Sequence, residues 1–276
     1  MTESDFVVTT IFILGAVVGS FLNVCIVRMP LEKSIVYPPS HCPHCKNPLA
    51  WYFNIPLLSF LFLKGRCFTC GKTISFRYFF VELLTALTFV GFYNHFHLSL
   101  LLAAYLVMVC GFIVATFVDF EHRIIPDEIS MGGTMAGLFL SVCIPAMHEI
   151  DRAVYPGWQA HAVSIGQSLL GALVGGGSIY LMGLIGDLIF KKESMGGGDV
   201  KLMAMIGAFL GWKYAVLSFF IAPLFGAVYG IVEKIRTKDS AIAYGPFLII
   251  GALISLFWGK ILIRWILGGY GLYDLP

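Results

Sequence analysis

FVVTTIFILGAVVGSFLNVCIVRM, Phe6 to Met29, carries no charge until Arg28. Coiled as a helix at about 1.5 Å per residue, it is long enough to cross the roughly 30 Å hydrocarbon core of a bilayer. The residues before it, Met1 to Asp5, lack a basic stretch, and the run is too long for the apolar core of a cleaved signal. It therefore reads as a retained first span. Asn23 is its one strongly polar residue, and an amide in such a helix is expected to hydrogen-bond to a neighbouring helix.

The whole 276-residue chain repeats this character. It is 58% hydrophobic and 12% charged, where a soluble domain has about 25% charged residues. Further apolar runs lie at about Arg77–His95, Leu98–Val118, Ile129–Met147, Val163–Phe190, a short one ending near Gly211, Tyr214–Val232 and Pro246–Leu267. The expected fold is an all-α polytopic membrane protein with about eight transmembrane helices. Gly171, Gly175, Gly176 and Gly177 fall inside an apolar run with no strand before them, which predicts close helix packing and not a dinucleotide loop. The net charge of +2 carries no signal for nucleic acid. Lipid is the expected surrounding, and no nucleic-acid partner is expected.

Pro30 to Phe76 breaks the pattern with lysines, arginines and prolines. It also holds Cys42-Pro-His-Cys45 and Cys67-Phe-Thr-Cys70, with 21 residues between the two pairs. Two such turns offer four thiolates to one tetrahedral ion, so Cys42, Cys45, Cys67 and Cys70 are the candidate ligands of a structural Zn2+. Four thiolates leave no open position for catalysis. A disulfide or redox pair is the alternative. His41 and His44 are expected to be bystanders, and Cys25, Cys110 and Cys143, which lie in apolar runs, small core residues. The domain plan is a first helix over 1–29, a small zinc-stapled cytoplasmic domain over 30–76, and a seven-helix membrane domain over 77–276.

Charge sets the orientation. If the cysteine domain is cytoplasmic, all but Arg152, Lys213, Lys260 and Arg264 of the 18 lysines and arginines fall on the cytoplasmic side. The N-terminus is then outside. Two acidic sites come to the same inner face, Asp119 in Val118-Asp-Phe-Glu121 and Asp199 in Met195-Gly-Gly-Gly-Asp-Val-Lys201.

Asp199 follows three glycines and precedes an apolar helix, so it is placed at or near an N-cap. Asp119 closes its own span. Two close carboxylates share a proton and can hold one water between them, which is the equipment for cutting a peptide bond. The helix ends would make Asp199 the easier to ionise and leave the proton on Asp119. Asp127 fits a helix N-cap, Glu121, His122 and Arg123 fit a solvated loop, and Lys201 fits a counter-ion to Asp199 or an interfacial residue. A transporter using the two aspartates as a proton or cation relay is the alternative, and a zinc-stapled assembly factor without chemistry a third reading.

The chain resembles the type IV prepilin peptidases, of the GxGD class of intramembrane aspartyl proteases. The resemblance rests on Gly19-Ser-Phe-Leu-Asn23 with Arg28 and Pro30, the two cysteine pairs, Asn54-Ile-Pro56, Gly65-Arg-Cys67, Ile74-Ser75 and Val81-Glu-Leu-Leu84. It rests equally on Asp119 with Ile125-Pro-Asp127, and on Gly196-Gly-Gly198-Asp199. It implies catalytic aspartates at Asp119 and Asp199. It also implies prepilin and pseudopilin substrates cut after a glycine at the cytoplasmic membrane face, in type IV pilus biogenesis or type II secretion. Finally, it implies N-methylation of the new terminus with S-adenosylmethionine, associated with the cysteine domain around Gly65 and Arg66, and residence in the bacterial inner membrane.

Overall fold

A computed structural model describes residues 3–151, 153–191, 195–237 and 243–268. Lys192, Lys238 and Arg152, which entered the charge count, lie outside them. Among the described residues there are α-helices and short 3-10 turns, and no strand beyond two isolated bridges. The helices are α1 (Glu3–Arg28), α2 (Leu58–Phe62), α3 (Phe76–Phe96), α4 (Leu100–His122), α5 (Asp127–Cys143), α6 (Trp158–Phe190), α7 (Gly197–Leu210), α8 (Trp212–Thr237) and α9 (Gly245–Gly268).

Six of them, α1, α3, α4, α6, α8 and α9, are long and apolar enough to cross a membrane, which makes this a multi-pass membrane protein. The eight expected spans thus resolve into six full-length helices and two short ones. With 17 and 14 residues, α5 and α7 reach only about 25 and 21 Å. Each has a local stop. Pro145 supplies no N–H to continue α5 and opens a 3-10 turn, Pro145–His148. Gly211, at φ +79°, turns the chain out of α7.

The chain divides into two compact units, Met1–Phe117 and Val118–Pro276. In the first, α1 packs along α3. A Cβ on Gly15 would stand 2.7 Å from Ala86 Cα, and one on Gly19 2.8 Å from Glu82 Cα. The missing side chains are what let the two helices approach, as small residues do where lipid gives helix association no hydrophobic drive. At this crossing Asn23, buried in α1, donates its amide to the Tyr78 carbonyl of α3 at 3.0 Å. That is the interhelical bond expected of it.

The second unit is built around α7. Leu202, Met203, Met205, Ile206, Ala208 and Phe209 are almost completely buried, with α5, α6, α8 and α9 packed against the helix. A Cβ on Gly207 would lie 1.9 Å from the Gly171 carbonyl oxygen, and one on Gly171 2.1 Å from that of Gly207. Two backbones touch here, so the glycine-rich run does serve helix packing.

Outside the spanning helices, His148 fills the turn between α7 and α8. Both its ring nitrogens are buried without a hydrogen-bond partner, and Nδ1 lies 3.2 Å from where a Gly211 Cβ would stand. Burial pushes its pKa down to about 4 from 6.5. Between those values the unfolded chain binds the proton that the folded chain refuses. Stability therefore rises with pH from about 4 to about 6.5 and is at its full value above. The contribution is at most about 3 kcal/mol. Thermal unfolding in detergent is expected to show this slope for the native protein and a flatter one for His148→Phe. Equal slopes would remove the assignment.

Candidate active site

The last turn of α4 continues past Asp119, whose carbonyl accepts the Arg123 N–H at 2.9 Å. Asp119 is therefore within the helix, one turn from its end, and only 5% exposed. Its Oδ2 accepts the N–H of Gly245, the first residue of α9, at 3.0 Å. A buried carboxylate needs such a donor.

Asp199 is not the N-cap of α7. Gly196 is, in extended conformation, and Asp199 is the third helical residue. From there its carboxylate reaches back and accepts the Gly196 N–H, as the acidic member of a capping box does. The three glycines leave room for this: the Gly196 Cβ position is 3.5 Å from Asp199 Oδ2 and otherwise nearly open.

The two carboxylates interact electrostatically, and Tyr244 lies within the field of Asp199. Burial first, and then that charge, push the Tyr244 phenol up to about 12, so it is a hydrogen-bond donor throughout the working range. Ile125 sits between α7, which bears Asp199, and the start of α9, whose Gly245 N–H holds Asp119. Its Cβ is 3.2 Å from a Cβ placed on Gly198, and its Cδ1 is 3.0 Å from one placed on Gly245. A Cβ on Gly245 would also stand 2.8 Å from Asp119 Oδ2, so a side chain there must displace the acid or Ile125, while one on Gly198 would crowd Ile125. Each carboxylate accepts one backbone N–H, Asp119 from Gly245 and Asp199 from Gly196.

Lys201 serves a different acid. Its Nζ donates to both oxygens of Asp127, at 2.7 and 2.8 Å, tying the start of α5 to α7. Asp127 is the first residue of α5, and Pro126 takes the cap position. Glu121 and His122 are exposed, as expected, but they lie in the last turn of α4 and not in a loop.

Sequence reading passed over Tyr244 and Gly245. A Gly-Pro pair opening an apolar run signals a helix start, and nothing in it announces that the glycine N–H holds a carboxylate 126 positions away.

In the first unit the four cysteines come together, with all Sγ atoms within 4.8 Å of one another. Cys42 and Cys70 are 3.9 Å apart, and Cys45 and Cys67 4.0 Å. Ligands at 2.3 Å in a tetrahedron stand about 3.8 Å apart, so the set fits zinc. The two turns have one design. Cys42 accepts the Lys46 N–H and donates its own to Asn47, while Cys67 does the same with Gly71 and Lys72. The N–H groups of Cys70 and Thr69 point at the Cys67 sulfur and lower its pKa to about 6, which favours the thiolate that a metal takes.

Residues 13–96 match the bacterial peptidase A24 N-terminal domain, and residues 106–231 match the type IV leader peptidase family. The prepilin leader peptidase/N-methyltransferase of Legionella pneumophila is 32% identical over 91% of each chain. The chain belongs to the type IV leader peptidase family. The relative of the same name from Pseudomonas aeruginosa is 33% identical over 94% of this chain and 92% of its own. That from Myxococcus xanthus is 41% identical over 82% of this chain, which spans 63% of that longer relative. No solved structure matches the chain. The leader-peptidase match contains Asp119 and Asp199, and the N-terminal match contains the four cysteines.

Proposed function

We propose that this leader peptidase family member removes the leader of prepilins and pseudopilins and N-methylates the new terminus, with Asp119 and Asp199 as its catalytic pair. The observation that supports the cleavage half is that the carboxylates of Asp119, on α4, and Asp199, on α7, lie near enough to interact electrostatically. Like charges so placed cannot both ionise cheaply, so the pair holds one proton. A water between them gives a proton to the ionised carboxylate as its oxygen attacks the scissile carbonyl. The protonated carboxyl donates to the carbonyl oxygen, which becomes a hydroxyl of the tetrahedral diol. Return of a proton to the amide nitrogen lets the C–N bond break, and the dyad recovers its single proton. Transport, the alternative reading, finds no support in the family match.

The distribution of lysine and arginine favours an inner-membrane protein with its N-terminus outside, and with the 30–76 zinc domain and the dyad at the cytoplasmic face. In that arrangement the 77–276 helices hold the peptidase. The test is incubation of detergent-solubilised protein with a prepilin, reading both leader removal and methylation of the product. Zinc is proposed for the four thiolates as a structural staple, since a segment this small buries little core by itself. It would fix the geometry of 30–76 and supply no reacting group. Stripping it with a chelator is expected to abolish methylation while leader removal falls by less than about threefold. Immediate loss of cleavage with the fold intact would contradict a structural metal.

A further inference from the structure

The first unit encloses a cavity of about 620 Å3 where α1 ends, α3 begins and the cysteine segment covers both. Cavities of about 300–1,000 Å3 bury most of a drug-sized ligand. No part of the cleavage mechanism uses this one. Two buried acceptors line it. Asn23, 1% exposed, spends its Nδ2 on the Tyr78 and Gly19 carbonyls, which fixes the amide and leaves Oδ1 with no hydrogen-bond partner. Glu82, 9% exposed, takes the Leu57 N–H on Oε2 at 2.7 Å and a hydrogen bond from Ser20. A carboxylate has about four acceptor sites, so two of its sites remain. Burying an acceptor without a partner costs about 1–3 kcal/mol, and a lone carboxylate more. Asn23 Oδ1 and the open sites of the Glu82 carboxylate thus call for a donor or a positive charge, on a wall to which Arg28 and Arg66 also belong.

Aromatic rings supply the other half of the wall. Phe53, Phe60, Tyr78 and Phe79 line the same space. Flat rings stack on a heteroaromatic base, and their faces attract positive charge. A cation joined to an aromatic base describes a sulfonium nucleoside. We propose that this cavity binds the methyl donor, S-adenosylmethionine, with Glu82 and Asn23 as the acceptors that face its positive charge and the rings as the platform for its adenine. The proposal rests on the methyl-transfer half of the reading above and gives that half a site. Ser40, His41, Cys42 and Pro43 form part of the wall, so a metal on the thiolates would hold one side of the cavity in shape.

Equilibrium dialysis of the full-length protein in detergent, with radiolabelled S-adenosylmethionine and no pilin present, tests the site without reference to turnover. Glu82→Gln keeps the size of the side chain and removes its charge. It is expected to weaken donor binding at least tenfold, with prepilin cleavage and bound zinc within twofold of the native protein. Ser59→Trp provides a second approach, since Ser59 lines the cavity from the five-residue α2 and takes no part in the α1–α3 crossing. Its indole is expected to fill the space and abolish binding. Native protein that binds the donor, with both variants binding it equally well, would overturn the location and leave the two activities standing. Native protein that cleaves a prepilin but binds no donor would overturn the methyl-transfer reading, and this site with it.

Discussion

Asp119→Asn and Asp199→Asn are each expected to reduce leader removal by about 10³-fold or more, while a pilin already freed of its leader is still methylated. Asparagine matches aspartate in size and still accepts a hydrogen bond. The Gly245 N–H held by Asp119 and the Gly196 N–H held by Asp199 therefore keep an oxygen to bond to. What is lost is the ability to take or give a proton. General acid–base catalysis by a positioned group is worth about 10²–10⁴ in rate, and here the two groups act as one device. Their losses should not add: the double variant is expected to be about as slow as either single one. The cavity assigned to the methyl donor is in the other compact unit, which is why methylation should survive. Processing of a prepilin on denaturing gels, with mass spectrometry of the N-terminus, reads both outcomes. Full cleavage by either variant eliminates the dyad.

How much of this was legible beforehand depended on range. Helix identity is local, and every apolar run did become a helix. Helix length was less legible: the short run was expected to end near Gly211 and does, but a hydropathy pattern does not see that Pro145 stops α5 and starts a 3-10 turn. The cysteine cluster was legible because the spacing of thiolates in each turn is itself the chemistry. The aspartates were legible because a carboxylate is costly in an apolar chain and asks for a partner. Pairings across the fold were not. Lys201 stands two residues from Asp199 and bonds to Asp127, a choice made by how α5 packs on α7. Asn23 satisfied the expected interhelical bond with one end of its amide, and the other end opens on a cavity that no residue pattern outlines. Glu82 lay inside the expected span Arg77–His95 and a motif that the resemblance already contained, so its cost was legible, but the Leu57 N–H that meets it and the cavity it faces were not.

Gly245 carries the second large effect. Its N–H donates to Asp119 Oδ2, and a Cβ added to it would stand 2.8 Å from that same oxygen and 3.0 Å from Ile125 Cδ1. Real contacts are not that short, so Gly245→Ala must move something. Asp119 can rotate away, which takes its carboxylate off the water. The start of α9 can retreat, which breaks the N–H bond and leaves a buried carboxylate underprovided. Ile125 has little room to yield, because its other side meets Gly198, directly before Asp199. Each route misplaces one acid relative to the other. Displacement by about 1 Å costs about 10² in rate, so kcat for leader removal is expected to fall about 100-fold with KM nearly unchanged. Overpacking should lower stability by about 1–3 kcal/mol. Gly177→Ala is the control, since a Cβ there meets nothing within 4 Å. It is expected to cleave normally and gain about 0.5–1 kcal/mol from its helix. Steady-state kinetics on a fluorogenic leader peptide, with thermal unfolding in the same detergent, separates the two terms. Native kcat in Gly245→Ala would mean that Asp119 is held in place by something other than the first residue of α9.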